Sequence, residues 1–233
     1  MDLKHPMMYS LGNKKLHLLV EFRKYNYTHL LPKAKNIASL EIGTGFGQFM
    51  KYMIEIGYNN VEGIDASKQI VDFCLDQKLK VKYVEDFISY FEHCKNKYDL
   101  IVANDILEHF SKEELTGLLI NINKCLNPGG VIVGKVPNAS NVFTGSHSRY
   151  IDFTHETSFT DTSLKQIFSA TGYTASEIRE SRLFVFYWNP LNYLGLIGTY
   201  LLKNLQLAIH KLYGNFSVSI VSNTIIFKFY KKD

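Results

Sequence analysis

The sequence predicts an α/β protein whose core is a doubly wound sheet with helices on both faces. Short apolar runs alternate with amphipathic helical patterns through the first two thirds of the chain. A loop with three alternating glycines follows the first apolar run, and acidic or amide residues close several of the others. Strands and helices that alternate at this spacing form right-handed βαβ crossovers in a parallel sheet. Ligands of such sheets bind beyond the carboxyl ends of the strands.

Five buried strands and three helices are predicted in this part of the chain. The strands are short apolar runs, and they cover residues 36–43, 60–65, 80–85, 98–105 and 129–137. The main helical patterns cover residues 47–57, 67–77 and 112–125. Ser111 and Glu114 form a capping box that opens the last helix, which we expect to end near the Asn-Pro-Gly-Gly sequence at 127–130. Asp99, at the start of the fourth strand, is expected to be structural.

The last third of the chain differs in composition from the first two thirds. Residues 138–160 are polar, aromatic and rich in hydroxyls, which is typical of a long loop. A capped helix follows at 161–171, with Gly172 just past its end. Two further strands, at 175–187 and 217–230, flank a helix at 190–213. The sequence therefore predicts a C-terminal helical insertion before the last strand.

A chain of 233 residues is long enough for one sizeable domain and short for two. We divide residues 1–233, as one domain, into three parts. Residues 1–35 are expected to form a helical N-terminal segment. The core that binds a cofactor is expected at 36–138, and the acceptor loop, helices and last strands at 139–233.

Composition excludes several classes of protein. The formal charge of +4 comes from scattered lysines, so no nucleic-acid partner is expected. The three cysteines are odd in number and far apart, which favours reduced thiols and neither a disulfide framework nor a zinc ribbon. The N-terminus lacks the apolar run of a secretory signal. We therefore expect a cytoplasmic protein.

One segment raises the question of a membrane. Residues 183–202 carry no charge and approach the length of a transmembrane span, but Asn189 and Pro190 break the run. The helix that follows has a narrow polar stripe on an otherwise apolar surface, formed by Asn192, Gly195, Thr199, Lys203, Gln206 and His210. We expect it to pack on the domain or on a second subunit, as in a homodimer. The alternative is peripheral contact with the inner face of a membrane through residues 191–212.

The glycine loop indicates which nucleotide the core binds. Gly43, Gly45 and Gly47 are spaced G-x-G-x-G, whereas a nicotinamide fingerprint needs G-x-G-x-x-G. Glu41, at the strand end, would repel a pyrophosphate but suits an ammonium group. A P-loop is excluded because no G-K-[ST] follows. S-adenosylmethionine fits this chemistry, since it has an α-ammonium, a ribose and no phosphate.

The other strand ends supply the rest of a nucleoside site. Asp65 is placed to accept hydrogen bonds from both ribose hydroxyls, and Ala66 follows it. Asp86 lies where an adenine amino group is expected, and Phe87 can pack on the ring. Asn104, at the end of the fourth strand, is the last residue of the predicted cofactor site.

A family resemblance agrees with this interpretation. Over residues 36–138 the chain resembles class I S-adenosylmethionine-dependent methyltransferases, through the ordered motifs LEIGTGFGQF, VEGIDAS, VEDF, YDLIVANDILEHF and LNPGGVIVGKVPN. The resemblance implies a Rossmann-like sheet of seven strands whose last strand is antiparallel. It also implies a methyltransferase that uses S-adenosylmethionine and releases S-adenosylhomocysteine.

Three residues near the strand ends are candidates for the catalytic base. His109 follows the fourth strand, His155 lies in the polar loop, and Asp105 lies on the same rim. Asp105, Glu108 and His109 would share one face of a helix, so that with His155 they offer a set of oxygen and nitrogen ligands for a divalent metal. We prefer the interpretation that this segment serves packing and capping, and the metal ligands stay unassigned.

The polar loop indicates the acceptor. Residues 149–173 resemble a segment of methyltransferases encoded with bacterial capsule and lipopolysaccharide genes, whose acceptors are typically sugars. Arg149 suits a phosphate or uronate. The side chains that suit a carbohydrate are Tyr150, Thr154, Thr157, Ser158 and Phe159. We expect O-methylation of a sugar hydroxyl in a bacterial surface polysaccharide or its nucleotide-linked precursor. The alternatives are a lipid, quinone or other small-molecule methyltransferase, or a non-catalytic S-adenosylmethionine-binding subunit.

Overall fold

The computed structural model describes residues 21–183 and 189–232. Seven strands form one sheet in the order β3-β2-β1-β4-β5-β7-β6. Strands β1 to β5 pair in parallel, and β7 is antiparallel to both of its neighbours. The predicted Rossmann-like sheet, with helices flanking it and its last strand antiparallel, is confirmed.

The element bounds show how strands and helices alternate. The strands are β1 (Ser39–Ile42), β2 (Val61–Asp65), β3 (Val81–Tyr83), β4 (Tyr98–Asn104), β5 (Leu126–Pro137), β6 (Tyr173–Glu180) and β7 (Thr224–Lys231). The helices are α1 (residues 21–27), α2 (Gln48–Glu55), α3 (Lys68–Asp76), α4 (Phe87–Glu92), α5 (Lys112–Cys125), α6 (Gly145–Tyr150), α7 (Asp161–Ala170) and α8 (Leu191–Leu212).

The central strands are buried on both faces of the sheet. In β4, Ile101 and Ala103 belong to the apolar cluster on one face, whereas Leu100 and Val102 belong to the cluster on the other. This alternation follows from the two-residue period of a strand. A strand covered on both sides therefore reads as one continuous apolar run, and β4 was predicted on that basis.

The junction of α5 and β5 differs from the prediction. The helix was expected to end near residues 127–130 and the strand to start at 129, but α5 ends at Cys125 and β5 starts at Leu126. The register with β4 shifts across these residues, and Gly129 adopts a left-handed φ of 72°. The Asn-Pro-Gly-Gly sequence is thus a bulge within a strand. Asp99 is structural, as predicted, because it accepts hydrogen bonds from the Ala38 amide and the Asn127 side chain.

Helices α4 and α6 were not predicted from the sequence. The strand predicted for β6 extends too far along the chain, and the strand predicted for β7 begins too early. α4 begins after Asp86, whose carboxylate accepts hydrogen bonds from two amides of its first turn, and α6 lies inside the predicted loop. The strands predicted at 175–187 and 217–230 are β6 and β7. Residues 184–188 lie outside the described residues. The same holds for residues 1–20, so the predicted N-terminal segment is described only from residue 21, where α1 is helical.

Helix α8 faces the domain with its polar stripe. Its one buried residue is Gln206, which accepts a hydrogen bond from the Val142 amide, and the His210 ring bonds the Ser140 carbonyl. The helix thus packs on the domain, one of the alternatives predicted from the sequence, through its polar stripe. Much of its apolar surface is exposed, at Leu191, Leu194, Ile197, Tyr200, Leu201 and Leu212. Among the described residues, no helix is long and apolar enough to cross a membrane.

Candidate active site

The candidate site lies where the carboxyl ends of β1, β2 and β4 meet. Glu41, Asp65 and Asn104 occupy these three ends, and the glycine loop connects β1 to α2. The sheet order reverses at β1, because β2 and β4 lie on opposite sides of it. Such a reversal opens the crevice in which α/β sheets bind their ligands.

The loop requires glycine for its backbone conformation. Gly43, Gly45 and Gly47 have φ values of 67°, 49° and 67°. This left-handed region strains any residue with a Cβ. At Gly43 an added Cβ would also lie 3.0 Å from Ile106 Cδ1, and at Gly47 it would lie 2.1 Å from Leu79 Cδ1. The alternating spacing therefore reflects a backbone that turns sharply over the strand ends.

Glu41 is a buried carboxylate with one oxygen unsatisfied. Its Oε2 atom is buried without a hydrogen-bond partner, and the side chain is 3% exposed. Burial raises the pKa of Glu41 from its ordinary 4.5 to about 8, and the nearby Arg23 guanidinium opposes this shift only in part. An unsatisfied buried carboxylate is costly, which indicates that the site is complete only with a positively charged or proton-donating ligand.

Arg23 is the complementary group that the sequence analysis missed. It comes from α1, donates from Nη2 to Gln48 Oε1 at 2.9 Å, and leaves Nη1 buried without a partner. Burial lowers the pKa of Arg23, and the charge of Glu41 opposes that effect. One turn further along, Tyr27 donates its hydroxyl to Asn104 Oδ1 at 2.9 Å. The sequence offered one indication of this pair of residues. Their i, i+4 spacing puts Arg23 and Tyr27 on one face of a helix.

Asp65 ties the glycine loop to β2. Its Oδ2 accepts the Gly45 amide at 3.0 Å and the Thr44 hydroxyl at 3.4 Å, and its Oδ1 accepts the Ser67 amide at 2.9 Å. Burial raises the pKa of Asp65, and these hydrogen bonds counteract the rise. Oδ2 already accepts two hydrogen bonds, whereas Oδ1 accepts one and can accept a further bond, so a contact with a ribose hydroxyl fits this geometry. Ala66, beside it, is exposed at the rim.

The predicted adenine residues lie at the start of α4. Asp86 is exposed, and only its Oδ1 is used in capping the helix. Phe87 is 7% exposed and packs edge-on against Phe110, with ring centroids 6.3 Å apart. Phe87 is thus a core residue of the wall near the site, and its contact with an adenine ring stays a prediction.

The segment after β4 is a turn and not the helix face that was expected. Asp105 has a φ of 51°, and only Leu107–His109 forms a short 3-10 helix. Asp105 forms an ion pair with Lys135 on β5. Asp105 itself is left-handed and precedes the short helix. It therefore does not share a helix face with Glu108 and His109. The i, i+3, i+4 argument for these residues was therefore wrong.

The turn nevertheless brings three of the predicted residues together. The Glu108 carboxylate and the His109 and His155 rings offer one ligand atom each, and these atoms lie within 4.8 Å of one another. Glu108 is 1% exposed, and its Oε2 is buried without a partner. Burial raises the pKa of Glu108 to about 8, whereas burial, reinforced by the neighbouring His155, lowers the pKa of His109.

The polar loop is anchored to this turn. The Glu156 and Thr157 amides donate to the Glu108 carbonyl at 2.8 and 3.0 Å, and the Thr157 hydroxyl donates to the Phe110 carbonyl at 2.7 Å. Phe159 is 2% exposed and belongs to the core, so its assignment to a carbohydrate surface was wrong. Tyr150 and Thr154 are exposed, as a carbohydrate surface requires.

Known proteins were then compared with the chain. A family model described as a methyltransferase domain matches residues 19–178. No curated protein sequence matches. A methyltransferase from Archaeoglobus fulgidus, titled as dependent on S-adenosylmethionine, is 19% identical, with a TM-score of 0.66 over 92% of this chain and 94% of its own. The N-methyltransferase NodS from Bradyrhizobium japonicum, solved with S-adenosylhomocysteine, is 13% identical, with a TM-score of 0.60 over 99% and 93%.

A third solved structure has the same fold. The plantazolicin methyltransferase BpumL, also solved with S-adenosylhomocysteine, is 18% identical, with a TM-score of 0.60 over 94% of this chain and 85% of its own. The chain belongs to the methyltransferase domain family. Its seven-stranded sheet is that of the class I enzymes, which use S-adenosylmethionine as methyl donor, as the glycine loop predicted.

Proposed function

We propose that this methyltransferase transfers a methyl group from S-adenosylmethionine to a sugar hydroxyl, in a bacterial surface polysaccharide or its nucleotide-linked precursor. The observation that carries the cofactor assignment is the pair formed by Glu41 and Arg23. Each keeps one buried atom without a hydrogen-bond partner, and each acts through its charge on the pKa of the other. A ligand with an ammonium and a carboxylate on one carbon satisfies both groups at once.

The remaining residues complete a site for this donor. Asp65 accepts hydrogen bonds from the ribose, and Asp86 accepts one from the adenine amino group through the oxygen that does not cap α4. Gly43 and Gly45 keep side chains away from the methionine part. Tyr27 and Asn104 are hydrogen-bonded to each other beside Glu41 and hold this wall in place.

Methyl transfer requires no covalent bond between the protein and either reactant. The acceptor oxygen forms a bond to the methyl carbon as the carbon–sulfur bond of the sulfonium breaks, the electron pair stays on sulfur, and the hydroxyl proton leaves. The chain must align the two reactants and receive that proton. His109, His155 and Asp105 are the groups proposed to act on the hydroxyl. Because its pKa is lowered, His109 is neutral near pH 7 and has a lone pair to offer.

The acceptor class is supported by the loop around α6. Tyr150 is 78% exposed and Phe153 is 91% exposed, and both lie close to His155 in sequence. Exposed aromatic rings of this kind stack on sugar rings. Arg149 donates to the Glu156 carbonyl through Nη2 only, which leaves other guanidinium donors for a phosphate or uronate.

The test combines binding and turnover. Calorimetry with S-adenosylhomocysteine should give a dissociation constant in the micromolar range, and Arg23→Gln should weaken it at least about 10-fold. Lys51→Gln, on the exposed side of α2, is the matched control and should not change it. Incubation with nucleotide-sugar pools and labelled donor should give a methylated sugar by mass spectrometry. Wild-type affinity in Arg23→Gln contradicts the donor site, and methylation only of lipids or amines contradicts the acceptor class.

A second candidate acceptor is a molecule held at a membrane. The apolar side of α8 is exposed over its whole length, with Leu191 71% and Leu212 85% exposed. A lipid, quinone or lipid-linked sugar would bring its membrane close to this helix. Co-sedimentation with liposomes distinguishes this candidate, because a free nucleotide sugar requires no membrane binding. Leu194→Glu should then abolish co-sedimentation, whereas Glu113→Gln on α5 should leave it unchanged.

A further inference from the structure

Glu108, His109 and His155 form a cluster of one carboxyl group and two imidazole rings. The two imidazole rings meet edge-to-face with centroids 4.8 Å apart. The ligand atoms of the two rings and the carboxylate lie within 4.8 Å of one another. Such proximity is unfavourable for three electron pairs unless a cation or a proton lies between them.

Hydrogen bonds fix which nitrogen of His109 carries its proton. The Thr154 hydroxyl donates its single hydrogen to Asp152 Oδ1 at 2.7 Å. The Thr154 oxygen therefore accepts from His109 Nδ1, which lies 2.8 Å away. With Nδ1 protonated, the lone pair of the neutral ring is on Nε2.

His155 is held in the same tautomer by a different partner. Its Nδ1 lies 2.8 Å from the Ser148 carbonyl oxygen, which can only accept a hydrogen bond. The Nε2 atom of His155 therefore also carries a lone pair. Histidines that bind metal ions in proteins donate their second ring N–H to a carboxylate, a carbonyl or a water in this way.

Glu108 supplies the carboxyl group of the cluster. The side chain is 1% exposed, and its Oε2 atom is buried without a partner. The carbonyl of the same residue is fixed by the Glu156 and Thr157 amides, so the turn and the loop that carries His155 are held together. Lys135, whose charge acts on the Glu108 carboxyl, is paired with Asp105.

We propose that Glu108, His109 and His155 bind a divalent transition-metal ion. Two neutral imidazoles and one carboxylate are ligands typical of Zn²⁺, Co²⁺, Mn²⁺ or Fe²⁺, whereas Mg²⁺ and Ca²⁺ prefer oxygen ligands throughout. Three protein ligands leave positions open on such an ion, which is the arrangement of catalytic rather than structural metal sites. Asp105 is not a member of the set, because its carboxylate is paired with Lys135.

This inference also deepens the proposed function, on which its catalytic part rests. An ion held by Glu108, His109 and His155 would act as a Lewis acid on the acceptor hydroxyl and would lower its pKa. The two histidines are then ligands and not bases. The hydroxyl proton passes to Asp105, whose carboxylate is 45% exposed at the rim, or to solvent.

Cobalt binding tests the site without any turnover. We would titrate Co²⁺ into protein that carries no polyhistidine tag and has been stripped with a chelator, and follow the visible absorption of the bound ion. One equivalent should bind, and Glu108→Gln and His109→Gln should each weaken binding at least about 100-fold. His147→Gln, an exposed histidine of the neighbouring α6, is the matched control and should bind Co²⁺ like the wild type.

Further measurements separate the outcomes. Binding of S-adenosylhomocysteine by each variant shows that it is folded, so a lost cobalt signal is then a lost ligand. Absence of stoichiometric Co²⁺ and Zn²⁺ binding by the wild type overturns the proposal, as does wild-type affinity in Glu108→Gln. Cobalt binding without sugar methylation overturns the proposed acceptor and not the metal site. Full methylation after exhaustive chelation overturns the catalytic role of the ion.

Discussion

The two halves of the site each contain one buried glutamate, and the two glutamates differ in what surrounds them. Glu41 and Glu108 are 3% and 1% exposed, each has an unsatisfied Oε2, and burial raises the pKa of each to about 8. Glu41 is next to the guanidinium of Arg23, whereas Glu108 is next to two imidazoles.

The difference indicates two kinds of ligand. A carboxylate beside a guanidinium that also has an unsatisfied donor matches a zwitterion, which carries both charges on one carbon. A carboxylate beside two ring nitrogens with lone pairs matches a single cation. We thus propose that the same buried residue type serves donor binding in one half of the site and metal binding in the other.

The largest expected effect is a reciprocal one between the two glutamates. Glu41→Gln should weaken S-adenosylhomocysteine binding at least about 30-fold, because it removes the anion that faces the ligand ammonium. It should leave Co²⁺ affinity unchanged. Glu108→Gln should do the opposite. Both titrations can be run by calorimetry on the same preparations. Loss of both ligands in either variant would mean that the two halves are one coupled site.

The next prediction concerns the hydrogen bond that orients His109, one of the proposed metal ligands. Thr154→Val removes the hydroxyl that accepts from His109 Nδ1 and keeps the shape of the side chain. Loss of such an outer partner should weaken Co²⁺ binding about 10- to 100-fold. Thr116→Val on α5, whose hydroxyl bonds only the Lys112 carbonyl one turn earlier, is the matched control. Equal affinities in the two variants would contradict the tautomer assignment of His109.

A third prediction concerns the rigidity of the donor half. Gly43→Ala places a Cβ in a left-handed residue and 3.0 Å from Ile106. We expect a loss of about 1–2 kcal/mol in the free energy of unfolding, and weaker S-adenosylhomocysteine binding. The control is Gly117→Ala in α5, where an added Cβ meets nothing within 4 Å. That change should leave stability equal or raise it by up to about 1 kcal/mol. Urea denaturation measures both.

The last prediction is a pH dependence to which Glu41 contributes. Its pKa is about 8 in the folded protein and ordinarily 4.5, so the folded state binds more protons between these values. The free energy of unfolding should therefore fall as pH rises from about 5 to about 8. Arg23 and Asp65 face Glu41 and act in opposite directions on its pKa.

Urea denaturation of Glu41→Gln checks this prediction. The variant has nothing to titrate at this position, so its stability should decline less over the same range than that of the wild type. An unchanged slope would show that Glu41 does not titrate as described. Saturating S-adenosylhomocysteine should reduce the slope of the wild type, since the ligand ammonium favours the ionised carboxylate.

The sequence by itself determined the sheet and the donor half. These features depend on residues that are close in the chain: an apolar run predicts a strand, a turn follows it, and Gly43, Gly45 and Gly47 adopt a conformation that only glycine takes easily. Asp65 follows its strand in the same way. Local patterns of this kind can be read without knowing which distant segments meet.

Only the tertiary structure decided the partners of these residues. The charge of Arg23 acts on Glu41 from a helix outside the predicted core, and His155 reaches His109 because the Glu108 carbonyl binds amides almost fifty positions further along. Helix α8 was identified by its polar stripe, and its buried residue is Gln206, whereas most of its leucines are exposed. Such pairings depend on loop paths and backbone hydrogen bonds between segments distant in sequence, which spacing along one chain does not encode.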